Sequence, residues 1–351
     1  MIPTGVSTIV RSAIAAVLAT VFGLSQSAAA APPADRTDTG SYTAGGLTYD
    51  YRSFVPGALP EAPALLVMVH GCNTTAEQQQ QASQLDPIAR RAGFVVLYVD
   101  GSPLNELQGR CWSGLAAPGN ESRTSGDAAA IAGMTRLVAD RHHVDSQRIY
   151  ALGMSSGAFQ TAMLGGHFPD LYAAIGLHSG GPFGHGVPGC VGTYLPIAAP
   201  EALAARAFSA QGEHRRVLPV IAFHGDADKT VPYECGQEAV EQWRLTNNTT
   251  LAAQGVPEPI PATPSNIGEG VAQVAQGHRF TVRTWELPNS PCPVLQSWTV
   301  HGEGHFWSGG SPDARSAQFT DPRGPNASEL VWQFFSRIDR TENGYHCRRS
   351  A

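Results

Sequence analysis

The chain has 351 residues, of which 42% are hydrophobic and 15% charged, and its net charge at neutral pH is −6. This length and apolar content suffice to bury a large core, and the lack of a long basic run argues against nucleic acid as a partner. The 38 glycines and 26 prolines indicate many loops around a rigid scaffold.

The N-terminus has the pattern of a secretory signal peptide. Arg11 precedes an apolar run over 14–24 and small residues at 28–30. The run is too short to span a bilayer comfortably, and no later segment has the length and apolarity of a membrane span. We therefore predict a signal peptide over 1–31 and a secreted mature protein, with a buried N-terminal helix as the alternative.

The expected export of the chain also bears on whether its cysteines form disulfides. An even number of cysteines, six here, favours disulfides in an oxidising compartment. Six cysteines allow 15 pairings, among which the spacing does not choose. No CxxC pair is present, so the pattern indicates neither a zinc ribbon nor a thioredoxin-like motif.

After residues 32–40, which we expect to be flexible, short apolar runs alternate with helical patterns. The expected strands are 41–56, 64–70, 94–99, 149–152, 172–177, 217–223, 281–286 and 295–300, and the expected helices are 83–92, 126–141, 156–165, 238–245 and 328–338. Apolar strands alternating with helices predict an α/β fold, with a mostly parallel central sheet and helices on both faces. We expect one catalytic domain over 41–340 and a C-terminal tail over 341–351.

Three stretches of the chain lack this periodicity. Residues 101–125 and 180–215 are long and irregular, and loops of this kind often build a binding site. Residues 251–269 contain four prolines, and we interpret them as a surface excursion.

The strongest local motif is Gly-Met-Ser-Ser-Gly at 153–157, which fits G-x-S-x-G where a predicted strand meets a predicted helix. Such a junction is a sharp turn that exposes the serine hydroxyl at the carboxyl end of the sheet. Small residues at 153 and 157 let the strand and the helix approach closely. The motif alone could be a plain turn, but its context predicts Ser155 as a nucleophile.

A serine hydrolase also needs two backbone N–H groups that bind the developing oxyanion. One is expected from Ser156, which follows the nucleophile. The other is expected from Cys72, in the loop after the strand that ends at His70. His70 itself is a candidate for substrate binding, with a buried structural histidine as the alternative.

The acid and the base should follow Ser155 in the order acid, then histidine. Asp228, in the loop after the strand at 217–223, is the better candidate for the acid, whereas Asp226 is expected to stabilise the turn. His305 follows the last strand in a glycine-rich loop and is the expected base. His301 is its competitor but lies at the strand end. His305 would take the Ser155 proton and pass it to the leaving alcohol.

Taken together, these segments resemble the polyhydroxybutyrate (PHB) depolymerase family of esterases, in the α/β-hydrolase superfamily, which has feruloyl and acetylxylan esterase relatives. The matching segments are HGCNTTA at 70–76, CW at 111–112, GMSSGAFQTAML at 153–164, FPDLYAAIGLHSG at 168–180, HGDADKTVPY at 224–233, GEGHFWSGG at 302–310 and FTDPRGPNASELVWQFF at 319–335. The resemblance implies the α/β-hydrolase fold and places nucleophile, acid and base on Ser155, Asp228 and His305.

The resemblance implies an ester substrate, either poly(3-hydroxybutyrate) or its short oligomers. Feruloyl or acetyl esters of plant cell walls are the alternative, and we expect no separate polymer-binding domain. Trp307, two residues after the base, and Trp112 are expected to line the cleft, with burial in the core as the alternative.

Two disulfides are expected around this site. One joins Cys72 to Cys111 and would tie the oxyanion loop to the CW loop, and the other joins Cys235 to Cys292.

Three other classes of protein remain to be compared with a serine esterase. A metal-dependent hydrolase could use His301 and His305, which have the spacing of HExxH, but the position of the motif's glutamate is Gly302 and the segment is a glycine-rich loop. An inactive binding module would not need a complete, ordered set of nucleophile, acid and base. A peptidase could use the same three residues. We expect no metal and no cofactor.

Overall fold

A computed structural model describes Met1 and residues 33–187, 189–257, 259–288, 290–313, 315 and 318–348. Pro33–Ala351 forms one compact unit. The predicted signal peptide, apart from Met1, lies outside the described residues. Among the described helices, none is long and apolar enough to cross a membrane.

The described strands, in chain order, are β1 (Arg36–Ala44), β2 (Leu47–Val55), β3 (Ala64–Val69), β4 (Phe94–Val99), β5 (Ile149–Met154), β6 (Ala174–His178), β7 (Cys190–Val191), β8 (Thr193–Tyr194), β9 (Val220–Gly225), β10 (Asn266–Val271), β11 (Arg279–Glu286), β12 (Pro293–Val300), β13 (Trp307–Ser308), β14 (Thr320–Asp321), β15 (Ile338–Arg340) and β16 (Tyr345–Cys347). Ten of them form one sheet in the order β1-β2-β4-β3-β5-β6-β9-β12-β11-β10. The six central strands, from β4 to β12, are parallel. The two strands at each edge are added antiparallel.

The described α-helices are α1 (Ala76–Ser83), α2 (Leu85–Ala92), α3 (Pro103–Leu107), α4 (Ser113–Ala116), α5 (Gly126–Arg141), α6 (Ser156–His167), α7 (Pro200–Gln211), α8 (Tyr233–Ala253) and α9 (Ala327–Phe335). Side chains of α5, α6 and α8 share one core with Leu65, Val67 and Val69 of β3, whereas α2 and α9 share a second core with Leu66 and Met68. Because neighbouring residues of a strand point to opposite faces, the helices cover both faces of the sheet. The prediction of an α/β-hydrolase fold is confirmed.

The structure differs from the predicted elements within the stretches expected to be irregular and at the edges of the sheet. Helices α3 and α4 lie within 101–125, and α7 lies within 180–215. Residues 36–40, expected to be flexible, belong to β1, whose alternating exposed and half-buried polar side chains carry no apolar signal. Residues 266–269, expected in an irregular excursion, begin the edge strand β10. In the expected C-terminal tail, residues 345–347 form β16, which pairs with β15.

Three disulfides join the six cysteines. Cys72 is bonded to Cys111, as predicted. The predicted bond between Cys235 and Cys292 is wrong. Cys235, in the first turn of α8, is bonded to Cys190, and Cys292, just before β12, is bonded to Cys347 in β16. The fold places each of these cysteines beside a partner that is distant in the sequence, with Cα–Cα distances of 5.9 and 5.7 Å.

Candidate active site

Ser155 lies in the tight turn between β5 and α6. Its backbone has φ of +56° and ψ of −125°, a conformation that L side chains rarely adopt. The Ser155 N–H donates a hydrogen bond to the His178 carbonyl at 2.9 Å, which ties the turn to the end of β6. Strain of this kind is characteristic of a serine held with its hydroxyl projecting from the end of a sheet.

The glycines of the motif are required by close packing. A Cβ atom on Gly153 would lie 2.1 Å from the carbonyl oxygen of Gly157. A Cβ atom on Gly157 would lie 2.2 Å from the carbonyl oxygen of Val69, at the end of β3. Neither contact is sterically possible without moving backbone, so the turn needs glycine at both positions.

Asp228 and His305 are joined by a short hydrogen bond, in which His305 Nδ1 donates to Asp228 Oδ2 at 2.6 Å. The other carboxylate oxygen of Asp228 accepts from the Thr230 and Val231 N–H groups at 2.8 and 3.0 Å. Burial alone would raise the pKa of Asp228, but hydrogen bonds from His224 and His305 hold that pKa well below its ordinary value. Asp228 is therefore a fixed anion beside the imidazole.

The two competing candidates, Asp226 and His301, bond to each other. Asp226 Oδ2 lies 2.7 Å from His301 Nδ1, and Asp226 Oδ1 accepts the Gly302 N–H at 2.7 Å. Between them, the Ala227 N–H donates to the Glu303 carbonyl at 3.1 Å. We call the contacts of Asp226 with His301 and Gly302 the loop clamp. The loop clamp joins the loop that carries Asp228 to the loop that carries His305.

The two residues whose backbone N–H groups are predicted to form the oxyanion hole are Cys72, which lines the cleft together with Ser155, and Ser156, which follows Ser155 in the chain. Within the part of the chain that the structure describes, no hydrogen bond engages the N–H of Cys72 or of Ser156. The Cys72 loop is held by the Cys72–Cys111 disulfide and by the Asn73 N–H, which donates to the Gly109 carbonyl at 2.8 Å. A Cβ atom on Gly71 would lie 3.2 Å from Ser155 Cβ, so this loop passes directly beside the serine.

Ser155 and His305 line the same cleft, of about 700 Å³. Its walls are mostly apolar, and the volume is in the range of small-molecule sites. The described lining residues are Gly71, Cys72, Asn73, Thr74, Gln79, Cys111, Leu115, Met154, Ser155, Val187, Val191, Ala227, Lys229, Thr230, Val231, Gly304, His305, Phe306, Gln318 and Phe319.

The three side chains predicted to bind substrate are all buried, and that prediction is wrong. Trp307, Trp112 and His70 each have a relative exposure of 0%. Trp307 Nε1 donates to Ser328 Oγ at 3.1 Å, and Trp112 Nε1 donates to the His70 carbonyl at 2.8 Å. The His70 ring lies 3.2 Å from an Asp100 oxygen. These side chains support the cleft from behind and do not reach its surface.

The aromatic side chains that do line the cleft are Phe306 and Phe319, which sequence reasoning missed. Trp307 begins the short strand β13, and both residues of this strand are buried. Phe306, just before the strand, is half-buried and lines the cleft. The sequence shows two adjacent aromatic residues after His305, but which of them lines the cleft depends on where β13 begins.

A second wall of the cleft comes from the irregular loop over 180–199, in which Val187 and Val191 are 53% and 43% exposed. The Val187 N–H donates to the Leu115 carbonyl at 3.2 Å, and the Gly192 N–H donates to the Thr230 carbonyl at 2.8 Å. The Cys190–Cys235 disulfide anchors the same loop to α8. The wall is therefore fixed to the loop that carries Asp228.

His178 links the serine turn to the segment after His305. Its ring is stacked on Trp307, with ring centres 4.7 Å apart, and its Nε2 accepts the Ser308 N–H at 3.1 Å. Burial, with the positive charges of nearby histidines, lowers the pKa of His178 to about 3. The ring therefore stays neutral at neutral pH and keeps an acceptor for the Ser308 N–H.

Glu303 is a buried acid two residues before His305, with a relative exposure of 1%. Neither of its carboxyl oxygens has a hydrogen-bond partner among the described residues. Burial, together with the negative charge of Asp321, raises the pKa of Glu303 to about 9. The carboxyl group is therefore protonated at neutral pH and lies as a neutral group in the loop that carries His305.

Among the described residues, one group of side chains has the spacing of a metal site: His185, Cys190 and Glu238. Cys190 is bonded to Cys235, so its sulfur is not a free thiolate. His185 Nδ1 lies 2.5 Å from Glu238 Oε2, and this buried pair supports the loop that carries Val187. The arrangement is that of a structural pair next to a disulfide.

A serine on a strained strand–helix turn, in one cleft with a histidine bonded to a buried aspartate, at the carboxyl end of a parallel sheet, is the arrangement of an α/β hydrolase. Comparison with known families agrees. Residues 47–252, more than half of the chain, match the family described as esterase PHB depolymerase. The chain belongs to this family of esterases, as its motifs predicted.

The curated relatives of the chain include proteins named feruloyl esterase and proteins named acetylxylan esterase. Feruloyl esterase B of Thermothelomyces thermophilus is 29% identical over 222 residues, which cover 59% of this chain and 74% of the relative. Probable acetylxylan esterase A of Aspergillus fumigatus is 31% identical over 148 residues, which cover 42% of this chain and 38% of the relative.

Among solved structures, the acetyl xylan esterase from Aspergillus awamori has the same fold. It aligns with a TM-score of 0.62 at 19% identity, over 85% of this chain and 99% of that one.

The neutral state of Glu303 predicts a pH-dependent stability. Its pKa is higher in the folded than in the unfolded chain, so its contribution to the free energy of unfolding is complete below about pH 4.5 and is lost as the pH rises through about 9. The urea midpoint of the wild type should therefore fall from pH 7 to 9, and that of Glu303→Gln should fall less.

The matched control is Glu61→Gln, which removes an exposed carboxyl group and should keep the wild-type pH dependence. An equal fall of the midpoint in the wild type and in Glu303→Gln would show that Glu303 is already ionised at pH 7.

Proposed function

We propose that this protein is a serine esterase that hydrolyses carboxylic esters through an acyl-enzyme, with Ser155 as nucleophile, His305 as base and Asp228 as acid. The observation that carries the proposal is that the strained Ser155 and the Asp228-bonded His305 line one cleft. Membership in an esterase family supports the reaction class.

The proposed reaction follows from these positions. Ser155 Oγ attacks the ester carbonyl carbon while its proton passes to His305 Nε2, which is free because Nδ1 is bonded to Asp228. The negative oxygen that forms is bound by the N–H groups of Cys72 and Ser156. His305 then protonates the leaving alcohol, and an acyl group remains on Ser155. Water, deprotonated by His305, attacks this acyl group. The bond from the acyl carbon to Ser155 Oγ then breaks, His305 returns the proton to Ser155 Oγ, and the acid is released.

Asp228 acts by orienting His305 and by stabilising its protonated form. The fixed negative charge of Asp228 lies 2.6 Å from Nδ1, where it favours the tautomer with the proton on that nitrogen. Asp226 is proposed to act as part of the loop clamp and to take no part in the proton transfers, because its carboxylate is already bonded to His301 and Gly302.

For the substrate, we propose short oligomers of 3-hydroxybutyrate, with the polymer itself as a slower substrate. The apolar walls formed by Val187, Val191 and Phe319 suit the methyl-bearing faces of hydroxyacyl units. The matched family is described as a PHB depolymerase esterase, which supports a substrate of this chemistry.

A second candidate substrate is a feruloyl or acetyl ester of a plant cell wall. The names of the curated relatives favour it, and the rings of Phe306 and Phe319 could pack against a feruloyl ring. Action in an oxidising compartment outside the cytoplasm is part of both proposals, since the three disulfides are typical of exported proteins.

The assignment of roles predicts the effect of four substitutions on the hydrolysis of a nitrophenyl ester. Ser155→Ala and His305→Ala should each lower kcat by about 10⁴–10⁶-fold, because each removes a group that moves a proton or forms a bond. Asp228→Asn should lower kcat by about 10⁴-fold, since it favours the wrong tautomer of His305.

Asp226→Asn is the matched control for Asp228→Asn, because it makes the same change two residues away. The amide oxygen of the substituted side chain would still accept the Gly302 N–H, so kcat should fall less than about tenfold. If Asp226→Asn lowered kcat more than Asp228→Asn did, the assignment of the acid would be reversed.

The substrate proposal predicts the order of initial rates on four substrates. The 3-hydroxybutyrate trimer should be hydrolysed faster than a film of the polymer, ethyl ferulate or acetylated xylan. Phe306→Ala should raise KM for the trimer severalfold because it removes an apolar wall of the cleft. Phe208→Ala, on α7 outside the cleft lining, is the control and should keep the wild-type KM.

Two outcomes would contradict the substrate proposal. Rapid hydrolysis of ethyl ferulate with none of the trimer would favour the plant-wall substrate. Equal rates on film and trimer would remove the preference for short soluble chains.

A further inference from the structure

Lys229 is the single lysine of the 351-residue chain, and it lies in the lining of the cleft with Ser155 and His305. Its side chain is exposed. Among the described lining residues, Lys229 and His305 are the two with a titratable side chain, and no carboxylate is among them. A lysine side chain thus stands in a mostly apolar cleft without carboxylates, in a protein whose net charge is −6.

The backbone on both sides of Lys229 is fixed. Asp228, before it, is bonded to His305 and to the N–H groups of Thr230 and Val231. Thr230, after it, accepts the Gly192 N–H through its carbonyl. The point from which the lysine side chain extends is therefore held relative to the base and to the loop that carries Val191.

The charge of Lys229 has no counter-ion in the described part of the chain. The two acidic residues nearest to it in the sequence are occupied, Asp226 by His301 and Gly302, and Asp228 by His305. The described ion pairs of this loop region run through the histidines and not through the lysine. An unpaired ammonium group in a binding cleft is suited to a ligand that carries an anion.

We propose that Lys229 binds a free carboxylate of the substrate, so that the preferred esters carry an acid group close to the ester bond to be cleaved. Acid-terminated hydroxyacyl oligomers have this chemistry, because each ester hydrolysis creates a new terminal carboxylate. This inference rests on the proposed esterase function and adds a charge preference to it.

The test compares two dimers of 3-hydroxybutyrate, one with a free terminal carboxylate and one with a primary amide in its place. Cleavage of the internal ester is followed by chromatography, and the ratio of the two kcat/KM values is the readout. The wild type should prefer the acid. Lys229→Met should lower the ratio by about tenfold, whereas Lys229→Arg should retain most of it because the charge is kept.

The matched control is Arg206→Met, which removes one positive charge from the exposed surface of α7. Arg206→Met should keep the wild-type ratio, and high salt should lower the ratio of the wild type because it screens an exposed charge pair. An equal loss of kcat/KM on both dimers in Lys229→Met would overturn the proposal, since the lysine would then act on the reaction in general.

Because the chain has one lysine, an amine-directed acetylating reagent offers an independent test. Acetylation of the wild type at Lys229, mapped by peptide mass, should abolish the preference for the acid. Lys229→Arg, which can be acetylated only at its terminal amine, should keep the preference.

The failures of the two proposals can be told apart. Wild-type cleavage of the acid and the amide dimer at the same rate would overturn the role of Lys229 and leave the esterase function intact. Failure to cleave either dimer, with ethyl ferulate hydrolysed, would overturn the hydroxyacyl substrate and this inference with it.

Discussion

The parallel pairing of β9 with β12 is the constraint on which the geometry of the cleft depends. The loops that follow the two strands carry Asp228 and His305, and because the strands are neighbours these loops leave the sheet side by side. Hydrogen bonds between the two loops then fix the distance between them. Asp226 holds His301 and Gly302, and the Ala227 N–H holds the Glu303 carbonyl. The short Asp228–His305 hydrogen bond is a further contact between the same two loops.

Ser155, the proposed nucleophile, is positioned by a different set of contacts, which meet the first set at His178. The Ser155 N–H is bonded to the His178 carbonyl, and the His178 ring receives the N–H of Ser308 beyond the base loop. The stacking of His178 on Trp307 keeps this link dry and rigid. The buried tryptophan thus contributes to the site by supporting the segment that carries Phe306.

The sequence was most informative where the chemistry is local. The G-x-S-x-G turn could be recognised because its glycines are required by contacts within a few residues and with the neighbouring strand. Asp228 and His305 could be placed by their order after the last strands. The sequence could not show which of residues 305–307 line the cleft. This depends on β13, a strand of two residues that forms through its pairing with β14.

Long-range pairings were also beyond the sequence. Cys190–Cys235 and Cys292–Cys347 span 45 and 55 residues, and each depends on how loops are packed in three dimensions. The hydrogen bond between Asp226 and His301 also joins residues that are distant in the sequence, and no local pattern relates the two. The first half of the edge strand β1, residues 36–40, escaped prediction because its side chains are polar and mostly exposed, as is common at a sheet edge.

In the proposed mechanism the folded chain activates Ser155 in particular, and labelling with a fluorophosphonate measures this activation. Tandem mass spectrometry of the labelled peptide can separate Ser155 from the adjacent Ser156. We predict one label per folded chain, on Ser155, and none on protein unfolded in urea, because the strained turn and its neighbours exist only in the fold. A label on Ser156 or on another serine, or folded protein that hydrolyses esters without taking up any label, would contradict the account.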